Sequence, residues 1–154
     1  MPFPSAKAAR PPRLCQPIDE RQHVKEEEFV FRRIHRNYYQ AGLPLPIQPE
    51  AFRPTRNDAS GISVFRASFV QPEGILADID PNKRLDYYVA RLAVRDLSRL
   101  GLTVVPDPDP TGPAGHAIIP ELSIFAYQAD KRRLKGIQLE LAKLASAAIV
   151  YSSD

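Results

Sequence analysis

Apolar and polar residues alternate most clearly in two stretches. In Phe29–His35 (FVFRRIH), Phe29, Phe31 and Arg33 share one side of an extended chain, and Val30, Arg32 and Ile34 share the other. In residues 62–70 (ISVFRASFV), Ile62, Val64, Arg66 and Ser68 oppose Ser63, Phe65, Ala67 and Phe69. Both stretches read as strands. Two shorter apolar runs, 102–105 and 117–119, are bounded by turn residues, the pattern of buried strands. A loop rich in Pro, Asp and Gly joins them. The period changes in residues 81–100, where Leu85, Tyr88, Val89, Leu92, Ala93, Leu97 and Leu100 recur at steps of three and four. That spacing predicts an amphipathic helix, with Asp80 as N-cap, Pro81 in the first turn and Gly101 just past the end. A second helix is predicted over 130–148. Its stripe is Leu134, Ile137, Leu141, Leu144, Ala145 and Ala148, and Gly136 weakens it by about 1 kcal/mol relative to alanine.

The order of elements predicts an α+β fold: a small sheet of about four strands with two amphipathic helices packed on one face. The first helix is long enough to act as a crossover, so strands 62–70 and 102–105 are expected to pair in parallel. Nine of the 16 prolines precede residue 55, which keeps the front third from being mostly helical. Residues 1–18 read as an extended or disordered tail and 19–154 as a single domain. Within that domain, 19–28 reads as a short helix or solvated lead-in. Residues 41–54 read as an extended connector packed through Leu43, Leu45, Ile47 and Phe52, and 57–61 as a turn.

Composition narrows the function classes. The chain has 154 residues, 44% hydrophobic and 25% charged, ordinary values for a globular protein. No apolar run approaches the roughly 18 residues of a membrane span, and the N-terminus lacks the apolar core of a secretory signal, so a cytoplasmic protein with no membrane partner is expected. The net charge of +3 is too mild to indicate nucleic-acid binding by itself. A lone cysteine, Cys15, supports neither an internal disulfide nor a zinc knuckle. No P-loop, GxGxxG, HExxH, GxSxG or CxxC is present, and the three histidines lack ligand spacing. No cofactor and no metal are therefore expected.

The candidate chemistry is local. His116, where the loop re-enters a strand, suits a general base or a phosphate donor; the bland alternative is that it braces the loop. Arg32, Arg33, His35 and Arg36, followed by Tyr38 and Tyr39, form the densest basic cluster, fit for phosphates and stacked bases. Its bland alternative is an edge strand kept soluble by charge. Arg53, Arg56 and Asp58 flank the turn ahead of Gly61. Glu121 is a candidate acid, or a salt-bridge partner for an arginine of the 29–36 strand. Lys131, Arg132, Arg133 and Lys135 open the second helix, where positive charge opposes the helix dipole.

Two resemblances bear on this set. The string Arg32-Arg33-Ile34-His35, then Phe52-x-Pro54, then Asp58-x-x-Gly61-Ile62-Ser63-Val64, then Gly115-His116-Ala117, resembles a widespread group of small uncharacterised bacterial proteins. That resemblance implies a compact bacterial domain and no particular activity. The order Arg33 or His35, then Ser63, then Glu121 is similar to ADP-ribosyltransferase-like folds. There the acid polarises a ribose hydroxyl of a nicotinamide dinucleotide. The leading expectation is an interaction module or accessory subunit of a larger protein or nucleoprotein assembly, working without enzymatic activity. It follows from the proline-rich, arginine-bearing front third, which suits lying extended on a protein partner. The alternatives are an enzyme or ligand-binding domain for a phosphate-bearing substrate, built on His116, His35 and Arg33, and direct RNA or DNA contact through the 29–39 strand.

Overall fold

The computed structural model describes residues 19–152; the expected tail at 1–18, Cys15 included, lies outside them. Six strands form one sheet: β1 (Phe29–His35), β2 (Ile62–Arg66), β3 (Tyr87–Ala93), β4 (Val105–Pro106), β5 (His116–Ile119) and β6 (Ile149–Ser152). Their order is β4-β5-β2-β1-β3-β6, and every neighbouring pair is antiparallel. Among the described residues, the α-helices are α1 (Val94–Arg99), α2 (Ile124–Ala129) and α3 (Lys131–Ser146), of which only α3 is long. The architecture is α+β as expected, with six strands rather than four.

The main correction concerns residues 81–100. Pro81–Asp86 is a short 3-10 turn capped by Asp80, Tyr87–Ala93 is the strand β3, and only Val94–Arg99 is helical. The misleading stripe has a physical origin. β3 pairs with β1 along all seven residues and with β6 on its other edge, and both its faces are covered. Val89 packs with Phe31, Phe65, Ile75 and Leu76, while Ala90 and Leu92 join the main core on the opposite face. A strand buried on both sides carries apolar residues at both parities, and their spacing imitates a helix. Tyr87, Tyr88 and Val89 are also strand-favouring residues.

Parallel pairing of 62–70 with 102–105 does not occur. Residues 102–104 are irregular, and Val105 and Pro106 pair with Ile118 and Ala117 as a hairpin, next to β5 rather than β2. The second predicted helix is present as α3. The Asp130 carboxylate accepts from the Arg133 N–H, and Leu134, Leu141, Ala142 and Ala145 are buried. α3 lies on the face formed by Val30, Ile34, Ile62, Val64 and Ala117. In the connector, Ile47 and Phe52 are fully buried, as expected, whereas Leu43 is exposed.

β1 is central, not an edge strand, and this positions the site. It stays registered with β3 through His35, but its pairing with β2 covers only Val30↔Arg66 and Phe31↔Phe65. Beyond that point the two central strands part, while β2 continues alongside β5. The parting leaves β2 carbonyls on that side without a ladder partner. The Arg32 side chain enters the gap, and its Nη1 donates to the Ser63 carbonyl at 2.8 Å.

Residues 19–28 form no helix; most of their side chains are exposed, as expected of a solvated lead-in, with Val24 buried. They dock on the sheet through Arg66, which is 1% exposed. Its Nε and Nη2 donate to the two Glu28 carboxylate oxygens, each at 3.0 Å, and its Nη1 donates to the carbonyls of Glu20 and Gln22.

Candidate functional site

At the parting of β1 and β2, a cleft of about 270 Å³ opens. Arg32 and Arg33 come from β1, Ser63 and Phe65 from β2, and His116 from the start of β5. Asp58, Asp78, Asp109 and Pro113 complete the wall from the surrounding loops.

The strand register brings serine and histidine together. Phe65 pairs with His116 and Ser63 with Ile118, so Ser63 and His116 are diagonal neighbours on one sheet face. His116 Nε2 lies 2.9 Å from Ser63 Oγ. His116 Nδ1 lies 2.7 Å from the Asp107 carbonyl oxygen and 3.3 Å from its carboxylate Oδ2. Both groups at Nδ1 can only accept, so Nδ1 carries the proton in the neutral ring. Nε2 is then the free base, and the Ser63 hydroxyl donates to it. Gly115 fixes the approach with a φ of 83°. A side chain there would crowd the Arg66 carbonyl and Phe69 Cβ, each 3.0 Å from a built Cβ. Phe65 meets the His116 ring edge-on, with centroids 5.4 Å apart, and the Arg33 guanidinium lies 4.7 Å from its centre.

The two arginines are served differently. Arg33 Nη2 donates to Asp78 Oδ1 at 2.7 Å. Arg32 has two carbonyl acceptors, Ser63 and Ala51, the latter at 2.9 Å. Among the described residues no carboxylate lies within ion-pair distance of it. Its Nε and that of Arg33 are buried without acceptors. Burial pushes the Arg32 pKa down to about 10, against the opposing charge of Asp58, so the group is still cationic at neutral pH.

The cleft carboxylates are tied locally. Asp78 holds Arg33. Asp58 Oδ2 accepts from the Thr55 N–H and hydroxyl, and Asp109 Oδ1 from the same two groups of Thr111. The Thr111 hydroxyl and N–H hold the Asp109 carboxyl below its ordinary pKa.

Of the residues singled out from sequence, Arg32, Arg33, Asp58, Ser63 and His116 converge. The others do not. His35 Nδ1 accepts from the Asn37 N–H, and its ring abuts Tyr87. Arg36 pairs with Asp86 at 3.3 Å on the surface. Arg53 lies 5.9 Å from the centre of the Tyr127 ring, and with Arg56 and Lys131 it lines a separate groove. Glu121 pairs with no arginine of β1; its two oxygens take the Thr103 N–H and hydroxyl at 2.9 and 2.7 Å. The Arg–Ser part of the Arg–Ser–acid order therefore shares one cleft, and Glu121 stays outside it. Asp78, Asp107 and Asp109 were not singled out. For Asp107 and Asp109 the available signal is the PDPDP run ahead of the Gly115-His116 pair; Asp78 carries none. No family model, curated protein or solved structure matches the chain.

Proposed function

We propose that the protein takes a small phosphate-bearing molecule into the cleft between β1 and β2, as a ligand-binding domain or as an enzyme acting on that molecule. The observation that carries this reading is the Arg32 guanidinium, partly drawn out of water and given two carbonyls but no ion-paired carboxylate, with only the more distant charge of Asp58 opposing its own. A cation in that state is under-compensated, and a phosphate would supply both charge and a matching pair of acceptors. The carboxylates in the wall favour a particular body for the ligand. Asp58 and Asp109 keep acceptor capacity beyond their threonine contacts, which suits sugar-like hydroxyls. A phosphorylated sugar or nucleotide meets both demands.

An ADP-ribosyltransferase-like reaction in this cleft would need an acid other than Glu121. The accessory-subunit reading draws on the front third of the chain, of which residues 19–28 are engaged by the chain's own Arg66. For nucleic-acid contact, β1 is central, Arg32 sits inside a cleft with part-buried contacts rather than on an open surface, and Arg33 is paired with Asp78. The cleft therefore carries the stronger argument.

The test is a thermal-shift and calorimetric screen with inorganic phosphate, sugar phosphates and nucleoside monophosphates. Binding stabilises the fold by mass action, about 2.7 kcal/mol at a hundredfold excess over Kd. We expect a saturating rise in Tm that Arg32→Gln abolishes while its circular dichroism matches wild type. A wild type whose Tm and heats respond to none of these compounds would sink the reading.

A further inference from the structure

We infer that Ser63 is a nucleophile activated by His116, and that the cleft accepts a carboxylic ester whose acyl group passes to Ser63 Oγ. This rests on the reading of the cleft as a ligand site and assigns its chemistry.

Three arrangements support it. The base is set: acceptor-only partners at Nδ1 leave Nε2 free to take a proton, and at 2.9 Å the Ser63 hydroxyl is the group it faces. The ring is held at several points, by the Asp107 carbonyl and carboxylate, by the edge of Phe65 and by the backbone turn at Gly115. A cation is adjacent, because Arg32 is anchored on the carbonyl of Ser63 itself and both residues line the cleft. Positive charge fixed beside the nucleophile favours the oxyanion that forms when a carbonyl is attacked. A reacting centre that starts neutral also suits a wall holding Asp58, Asp78 and Asp109.

The step balances within the site. Ser63 Oγ bonds to the acyl carbon as its proton moves to His116 Nε2, and the carbonyl π pair moves to oxygen. The tetrahedral intermediate collapses, the C–O bond to the alcohol breaks, and the departing alkoxide takes the proton from Nε2. Water, deprotonated by the same nitrogen, attacks the acyl-Ser63 ester and returns the serine hydroxyl and a free acid.

The experiment is labelling with an alkyl fluorophosphonate, in which Ser63 Oγ bonds to phosphorus and fluoride leaves. It is read by intact and peptide mass spectrometry, in parallel with the phosphate-ligand Tm shift. We expect one adduct, on Ser63. It should be absent in Ser63→Ala, slowed about a hundredfold or more in His116→Gln, and absent from wild type unfolded in guanidinium. The unfolded control separates activation by the fold from intrinsic serine reactivity even if the histidine variant is unstable. No adduct on Ser63 in the folded wild type, or equal labelling when unfolded, overturns the inference. If that happens while the Tm shift persists, the nucleophile is wrong and the ligand cleft stands. Loss of both removes both readings.

Discussion

Arg66 and Arg32 lie on adjacent central strands, and both carry a guanidinium into the protein. Their surroundings differ in kind. Arg66 is matched by a bidentate carboxylate from Glu28 and by two carbonyls, so four of its N–H groups are used. Arg32 has two carbonyls and, among the described residues, no ion-paired carboxylate, the charge of Asp58 acting on it without contact. A fully compensated buried cation is complete in the free protein and serves as a fastener. An under-compensated one at the wall of a cleft leaves part of its partnership to something from outside. Residue type is shared, with Arg66 fully buried and Arg32 partly so; the carboxylate separates the two roles.

The strongest way to break this contrast is to remove the carboxylate from the complete arginine. Glu28→Ala leaves Arg66 charged and enclosed, and should cost about 3–5 kcal/mol in urea or guanidinium unfolding. The same pair gives a pH signature. Burial pushes the Glu28 carboxyl up, but the hydrogen bonds from Arg66 and the Lys25 N–H, with the charges of both side chains, outweigh it and hold the pKa below the ordinary 4.5. With the folded value lowered, the stabilisation is fully present above 4.5 and is lost as pH falls through that lower value. Glu28→Gln should flatten this acid limb of the stability profile.

Arg32→Met should cost clearly less, about 2 kcal/mol or under. Two carbonyls lose a donor, but an under-compensated charge also leaves the interior. An equal loss for Arg32→Met and Glu28→Ala would erase the distinction between the two arginines. The smallest effect should come from Arg95. It approaches Glu26 at 3.9 Å and Glu27 at 3.7 Å in solvent, beside the same docked segment. Arg95→Ala is expected to change unfolding by about 0.5 kcal/mol or less.

What the sequence made legible follows the range of each interaction. β1, β2, β5 and α3 announce themselves because their signals lie within a few residues: alternation, turn boundaries and the Asp130 cap. β3 does not, because its state is decided by β1 and β6 from distant parts of the chain. The same holds at the sites. Arg32, Arg33 and His116 were recognisable as chemistry-bearing residues. That Arg66 is buried was not, since its partner Glu28 lies 38 positions away. His35 matches Arg33 by strand parity, yet Arg33 lies beside the cleft just past the parting, whereas His35 lies at the far end of β1 with its ring against Tyr87. Asp107 was hidden in a loop that reads as turn chemistry until the hairpin folds it against His116.

The Glu20 carboxylate accepts the Gly115 N–H at 2.6 Å, joining positions 95 residues apart. Such a contact cannot precede the register of β1, β2 and β5, because both of its ends are placed by that part of the sheet. Closing so wide a loop slows assembly more than it weakens the finished fold. The residue ahead of His116 should therefore be among the last to set on refolding and among the first to open in the native protein. In hydrogen exchange, the Gly115 amide should be released well before those of β1. Cutting the chain after residue 28 would hasten that release while leaving all six strands of the described sheet in place.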